Sequence, residues 1–196
     1  MLRSRRSRVV GRERISTATV RERWNRMASP SGSFPLAYLI SFRCYGTWLH
    51  GDLRGSVDRQ HRGYRTALVE PSETRRSQAF RRLNHAPVAL DERQRLIVDE
   101  TIRGVCRNRA WKLRALNVRS NHVHAVVAGE VIPEQIMNAF KSWSTRRMIE
   151  TDAWPSGTKA WSRHGSTRYL WTPEAVDMAC RYVTEGQGKS FPFQGR

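Results

Sequence analysis

Acidic residues are scarce in this chain: 17 Asp and Glu stand against 35 Lys and Arg in 196 residues, a formal net charge of +18. That balance is the one expected of a nucleic-acid partner. Lysine is scarce as well, since 31 of the 35 basic residues are arginine, a bias that genome composition can also produce. Cysteine is limited to Cys44, Cys106 and Cys180, an odd count without CxxC spacing. A disulfide framework and a cysteine zinc site are therefore not expected. No apolar run approaches the roughly 18 residues that span a bilayer. The Arg-rich, Ser-containing start also lacks the apolar stretch of a secretory signal. The expectation is a bacterial-type cytoplasmic, nucleoid-associated protein with no membrane partner.

What is present is unevenly placed. Residues 1–26 carry nine arginines and only Glu13 and Glu22, a local charge of +7, so the remainder still carries +11. Residues 1–33 read as a disordered basic arm ending in Ser29-Pro30-Ser31-Gly32-Ser33, with Met27 as an alternative start. Residues 34–190 read as a single catalytic domain and 191–196 as a tail. No internal repeats are found.

Within the domain, Leu36, Tyr38, Ile40 and Phe42 alternate along a first strand to Cys44. Residues 53–86 are polar and arginine-rich, either a solvated insertion or a loop that guides DNA, with a short helix over Gln78–Leu83. Asp91 to Gln94 form a capping box for a helix reaching about Asn108. Trp111, Leu113 and Ala115 alternate as a second strand, and Asn121–Ala128 forms a third. Pro133 opens a helix with an Ile136, Phe140, Trp143 stripe, leaving Lys141, Arg146 and Arg147 for water or phosphates. Ala160–Trp171 reads as a strand pair turning at Arg163-His164-Gly165-Ser166. Thr172 then caps a last helix with Pro173 at its first position. The expected architecture is α+β: a mostly antiparallel sheet with helices on one face and the other free for ligand.

The chemistry concentrates in Asn121-His122-Val123-His124-Ala125-Val126-Val127. On a strand His122 and His124 project from one face, a partial metal site, while Val123, Ala125 and Val127 fill the other. Near the end of the chain, Tyr182 offers a hydroxyl nucleophile, and Glu185 and Gln187 offer oxygen ligands. Taken singly, each has an ordinary reading: half-exposed strand histidines, a core aromatic on a helix stripe, solvated side chains. Their joint occurrence in a basic chain reads as a site. His50 and His164 lie in Gly-containing turns and are not read as ligands. Trp48, Trp161 and Trp171 either stack on unpaired bases or sit in the core.

The order of His122-Val123-His124 and a later tyrosine helix resembles the HUH endonucleases. Within them it is most similar to the single-tyrosine transposases of single-strand-transposing insertion sequences and their REP-associated relatives. Tyr45-Gly46-Thr47-Trp48-Leu49, Trp161-Ser162-Arg163-His164-Gly165-Ser166 and Tyr182-Val183 add to this, so that the resemblance spans about residues 36–188. It implies the ferredoxin-like palm of that group. It implies that Tyr182 attacks single-stranded DNA to give a 5′-phosphotyrosine and a free 3′-hydroxyl. It also implies a divalent ion, Mg²⁺ or Mn²⁺, held by His122, His124 and a third ligand. In the group that ligand commonly lies four residues after the tyrosine, here Gly186, which cannot ligate. Gln187 better matches the usual amide, and Glu185 better matches unbroken helix geometry; both stay open.

Arg119, Lys141, Arg146, Arg147 and Trp48 are the expected DNA contacts, the partner being single-stranded or hairpin DNA, and a homodimer is an open alternative. A replication-initiator or relaxase-like nickase would use the same site, and a non-catalytic nucleic-acid-binding module is the reading from another class. Arginine without apolar neighbours neutralises phosphates but reads no bases. Truncation to Met27 is therefore expected to leave cleavage at low salt intact while reducing the salt-sensitive part of DNA affinity, measured by binding at graded ionic strength.

Overall fold

The computed structural model describes residues 34–53, 55 and 69–186. The basic arm, most of the loop after residue 53, Gln187, Gly188 and the tail lie outside the described residues. In chain order the elements are β1 (Ala37–Cys44), α1 (Glu73–Arg81), α2 (Glu92–Asn108), β2 (Lys112–Val118), β3 (His122–Ala128), α3 (Pro133–Glu150), β4 (Trp161–Leu170) and α4 (Pro173–Thr184). Local chemistry accounts for the helix starts. Asp91 and Gln94 make the reciprocal capping box at α2, and Thr172 caps α4 ahead of Pro173. Helix α1 begins at Glu73, earlier than its sequence suggested, because Ser72 caps it by accepting from the Arg75 amide.

The four strands lie in the order β2-β3-β1-β4, and every neighbouring pair is antiparallel. That order, with helices after β1 and β3, is the split arrangement of the ferredoxin-like motif. The fold is α+β. On one face, Tyr38, Ile40 and Phe42 of β1 and Val123, Ala125 and Val127 of β3 pack with Val98 and Ile102 of α2 and Ile136 and Phe140 of α3. The alternation of strand side chains puts His122, His124 and Val126 on the other face. That face is not left open throughout: α4 packs there, with Val176, Ala179 and Val183 against Ala37, Ala115, Val126 and Leu170. The tyrosine-bearing helix is therefore on the histidine side, while α2 and α3 cover the opposite side.

Two irregularities redirect side chains. Between Leu113 and Ala115, β2 carries one more residue than its partner β3. The two side chains that the sequence placed on one face thus divide, Leu113 to the α2–α3 core and Ala115 to the α4 core. The second lies in β4, which is one strand and not the expected hairpin. Cys44 pairs with Trp161 and Phe42 with Gly165, so residues 162–164 bulge out of the ladder. Their carbonyls are satisfied by Lys141, whose ammonium donates to those of Ser162 (2.9 Å), Arg163 (3.4 Å) and His164 (3.2 Å). Helix α3 is also turned differently from its expected stripe. Trp143 is 43% exposed, and Ser144 and Met148 continue the buried face instead.

Among the described residues no helix is long and apolar enough to cross a membrane. Gly165 marks a close approach of strands and helix: a Cβ there would press on Met137 Sδ and lie 2.5 Å from the Ser41 carbonyl oxygen. Gly165→Ala is expected to lower stability by about 1–3 kcal/mol through overpacking at a backbone that cannot yield. A reduced thermal midpoint in the metal-free protein checks this.

Candidate active site

Strand β3 carries the centre of the site, because it is hydrogen-bonded on both sides, to β1 and β2. Its pleat brings the His122 and His124 rings to 4.7 Å between centroids. The Tyr182 ring lies edge-on to His124 at 5.5 Å. Tyr182 is 45% exposed, so its ring stands at the surface beside the pair and not in the core. Helix α4 is held in place by the apolar cluster beneath it and by one polar tie, Asn117 Nδ2 donating to the Val183 carbonyl at 2.8 Å. Asn117 pairs with His124 across β2 and β3. It reaches this face only because the extra residue in β2 inverts the alternation ahead of it.

Polar neighbours surround the pair. Asn121 Oδ1 lies 2.6 Å from His122 Nδ1, and Ser41 Oγ lies 2.6 Å from His124 Nδ1. Ser41 and Arg43 of β1 stand directly opposite His124 and His122. The Arg43 guanidinium lies 3.6 Å over the Trp48 ring, a cation–π contact. On the other side of the histidine strand, the Arg119 amide donates to the His122 carbonyl at 2.8 Å. Burial, and then the nearby His122 and Arg43, push the His124 pKa down from 6.5 to about 4. His124 is thus neutral at physiological pH, the form that offers a lone pair to a metal.

Of the residues singled out in the sequence, His122, His124 and Tyr182 come together, and Arg119 and Trp48 lie in their vicinity. Lys141 does not. It is 9% exposed and turned into the β4 bulge, away from the histidine pair, and burial there lowers its pKa to about 8. Arg146 and Arg147 lie on α3, which packs on the other face of the sheet; Arg146 covers Trp143 and Arg147 pairs with Glu150 at 3.4 Å. Trp161 is a core residue whose indole donates to the Lys141 carbonyl at 3.1 Å. Trp171 stacks on Tyr169 at 6.3 Å. Ser41, Arg43 and Asn117 were missed in the sequence. Ser41 and Arg43 could have been found, since they alternate with the apolar Ile40 and Phe42 and so must face the histidine side.

The donor chemistry fits a divalent ion in part. Neutral imidazole is a suitable ligand, and each ring already has a polar partner on Nδ1. Among the described residues no group of three His, Cys, Asp or Glu that could hold a metal forms, so Glu185 is not assembled with the pair. Glu185 instead ends α4, its amide bonding to the Arg181 carbonyl. Gly186 follows one turn after Tyr182, where a Cβ would come within 3.1 Å of the tyrosine ring. A side chain at that position would press on the ring, and glycine leaves it room. Gln187 lies outside the described residues.

The His124 environment has a consequence for stability. In the unfolded chain this imidazole takes up its proton near pH 6.5, but in the fold not until about pH 4. The unfolded state therefore binds more protons between those values, and stability falls as pH drops through that window. Metal-free His124→Gln is expected to lose less stability than the parent between pH 6.5 and about 4, measured by denaturant unfolding.

Among curated proteins, none matches the sequence. Two solved structures share a loose likeness. One, from Deinococcus radiodurans R1 and provisionally described as a transposase, is 14% identical with a TM-score of 0.42, over 79% of this chain and 93% of that one. The other, described as a REP-associated tyrosine transposase bound to a REP hairpin, is 10% identical with a TM-score of 0.42, over 75% of this chain and 63% of that one. Both are too distant to argue from. The family model described as "Transposase IS200 like" matches residues 81–185, from the end of α1 to the residue after α4. That match takes in more than half of the sequence and contains both histidines and the tyrosine, and the chain belongs to the IS200-like transposase family.

Proposed function

We propose that this protein cuts and rejoins single-stranded DNA with Tyr182 as the nucleophile. The observation that carries this reading is the adjacency of three rings on one sheet face, His122 to His124 at 4.7 Å and His124 to Tyr182 at 5.5 Å. In the proposed step the Tyr182 phenolic oxygen attacks the scissile phosphorus and gives up its proton. The bond from phosphorus to the 3′ oxygen breaks, the 5′-phosphate remains on the tyrosine, and the departing strand takes up a proton as a 3′-hydroxyl. The phosphotyrosine preserves the phosphodiester linkage, so a second 3′-hydroxyl can reverse the step and join strands without a nucleotide cofactor.

His124, with a pKa of about 4, is too weak a base to keep the phenolic proton at neutral pH. Its role is that of a neutral ligand. His122 and His124 would hold the ion, with the Gln187 amide as the third donor, since Glu185 is not assembled with the pair. A bound Mg²⁺ or Mn²⁺ supplies positive charge that polarises the scissile phosphate. Arg119 and Arg43, on either side of the histidine strand, contribute permanent positive charge toward neighbouring phosphates, and Trp48 gives an aromatic surface for an unpaired base. The substrate is single-stranded DNA, with a hairpin beside the cleavage position as the recognised element. Residues 34–190 form the catalytic domain on this reading, and residues 1–33 add sequence-independent affinity.

Tyr182→Phe removes one hydroxyl and keeps the ring. It is expected to abolish covalent attachment to labelled single-stranded hairpin DNA in Mn²⁺ while leaving DNA affinity and thermal stability nearly unchanged. Replacing both His122 and His124 by Ala is expected to stop cleavage as well, through loss of the ion. An adduct of normal yield with Tyr182→Phe would mean that another group attacks. DNA binding without any adduct from the parent protein would leave a binding module in place of an enzyme.

A further inference from the structure

Asn121 and Ser41 both meet the histidine pair at Nδ1, and their chemistry differs in which ring nitrogen it leaves with the proton. We propose that Asn121 and Ser41 are positioning residues, Asn121 setting the tautomer of His122 and Ser41 satisfying Nδ1 of His124, so that each ring presents Nε2 to a divalent ion. This inference rests on the reading of the two histidines as metal ligands.

The Asn121 carboxamide oxygen can only accept, and it lies 2.6 Å from His122 Nδ1. Nδ1 must therefore carry the proton, which puts the lone pair of that neutral ring on Nε2. Asn121 is itself fixed at the entry to β3, where its carbonyl accepts from the Cys44 amide at 2.9 Å and from Thr47 Oγ1 at 3.3 Å. Its side chain thus dictates one tautomer of His122. Ser41 Oγ is 2.6 Å from His124 Nδ1, and a hydroxyl both donates and accepts. Ser41 donates when His124 carries its proton on Nε2, and accepts when that proton sits on Nδ1 and Nε2 holds the lone pair. Ser41 is locked in the middle of β1, paired with His124 on one side and Ser166 on the other. His124 is only 9% exposed, so without Ser41 its Nδ1–H would be left unsatisfied in the metal-binding tautomer. One partner commands a tautomer and the other accommodates it.

The test uses the full chain and Mn²⁺ alone, titrated by the electron paramagnetic resonance signal of the free ion. Nitrogen-15 spectra of the imidazoles report the tautomers independently of metal. His122 is expected as the Nδ1–H form in the metal-free parent protein. Ser41→Ala and Asn121→Ala are each expected to weaken Mn²⁺ binding by about 10–100-fold. Ser41→Thr keeps the hydroxyl and Asn121→Asp keeps the acceptor oxygen, so both should restore most of the affinity. Thermal unfolding of each variant separates this effect from loss of fold. Mn²⁺ affinity in the two alanine variants within about twofold of the parent would overturn the proposal while leaving the metal site standing. So would an Nε2–H tautomer at His122 in the parent. A parent protein that binds no Mn²⁺ would overturn the metal-ligand reading and this inference with it.

Discussion

Strand β3 is paired along both edges, and its two faces meet different surroundings. Val123, Ala125 and Val127 are fully buried against α2 and α3, and this leaves no freedom in the phase of the alternation. A slip of one residue would drive His122 and His124 into an apolar core and turn three apolar side chains outward. The orientation of the histidines is therefore a by-product of core packing on the far side of the sheet. No contact at the site itself has to enforce it. The same constraint fixes what stands beside the pair, because β1 delivers Ser41 and Arg43 in register with His124 and His122.

The tyrosine is brought to that strand by a separate set of forces. Helix α4 buries Val176, Ala179 and Val183 on the histidine face and leaves Tyr182 outside this apolar footing. The polar tie from Asn117 to the Val183 carbonyl fixes the last turn, one residue from Tyr182. That tie depends on the extra residue in β2, since regular alternation after Leu113 would aim Asn117 at the apolar core. On the other edge, the carbonyls of the β4 bulge would be left without partners in the ladder, and Lys141 supplies the donors. A cation that sequence alone would give to DNA is used to close the fold.

Much of this architecture was legible in the chain. The capping box at Asp91, Pro173 after Thr172, and the two-residue period of β1 and β3 are local signals, and each has a local physical cause. The histidine face followed from the same period. What escaped was non-local. A bulge adds one residue without a compositional mark, so the division of Leu113 from Ala115 was invisible, and Asn117 with it. The residues Arg163-His164-Gly165-Ser166 carry turn chemistry, yet Gly165 and Ser166 pair with β1 and residues 162–164 bulge, because a lysine from another element satisfies the backbone of the bulge. Lys141 itself sits between Phe140 and Ser142 in a helix, and only the packing of α3 shows that it points inward. The side of the sheet on which α4 lies was equally unreadable, because an amphipathic helix does not say which apolar surface it will cover.

The central claim is that DNA becomes attached to one named oxygen next to the histidine pair. The most direct measurement is mass spectrometry of the covalent adduct after tryptic digestion. The protein is first incubated with single-stranded hairpin DNA and Mn²⁺, and the trapped nucleotide is then trimmed to a short remnant. Cleavage after Arg181 releases residues 182–189 as one peptide with the tyrosine at its start. The account predicts a 5′-linked nucleotide on that peptide, localised to Tyr182, with a free 3′-hydroxyl on the released strand. A nucleotide mapped to any other residue, or a 3′-phosphate left on the protein side of the cut, would contradict it.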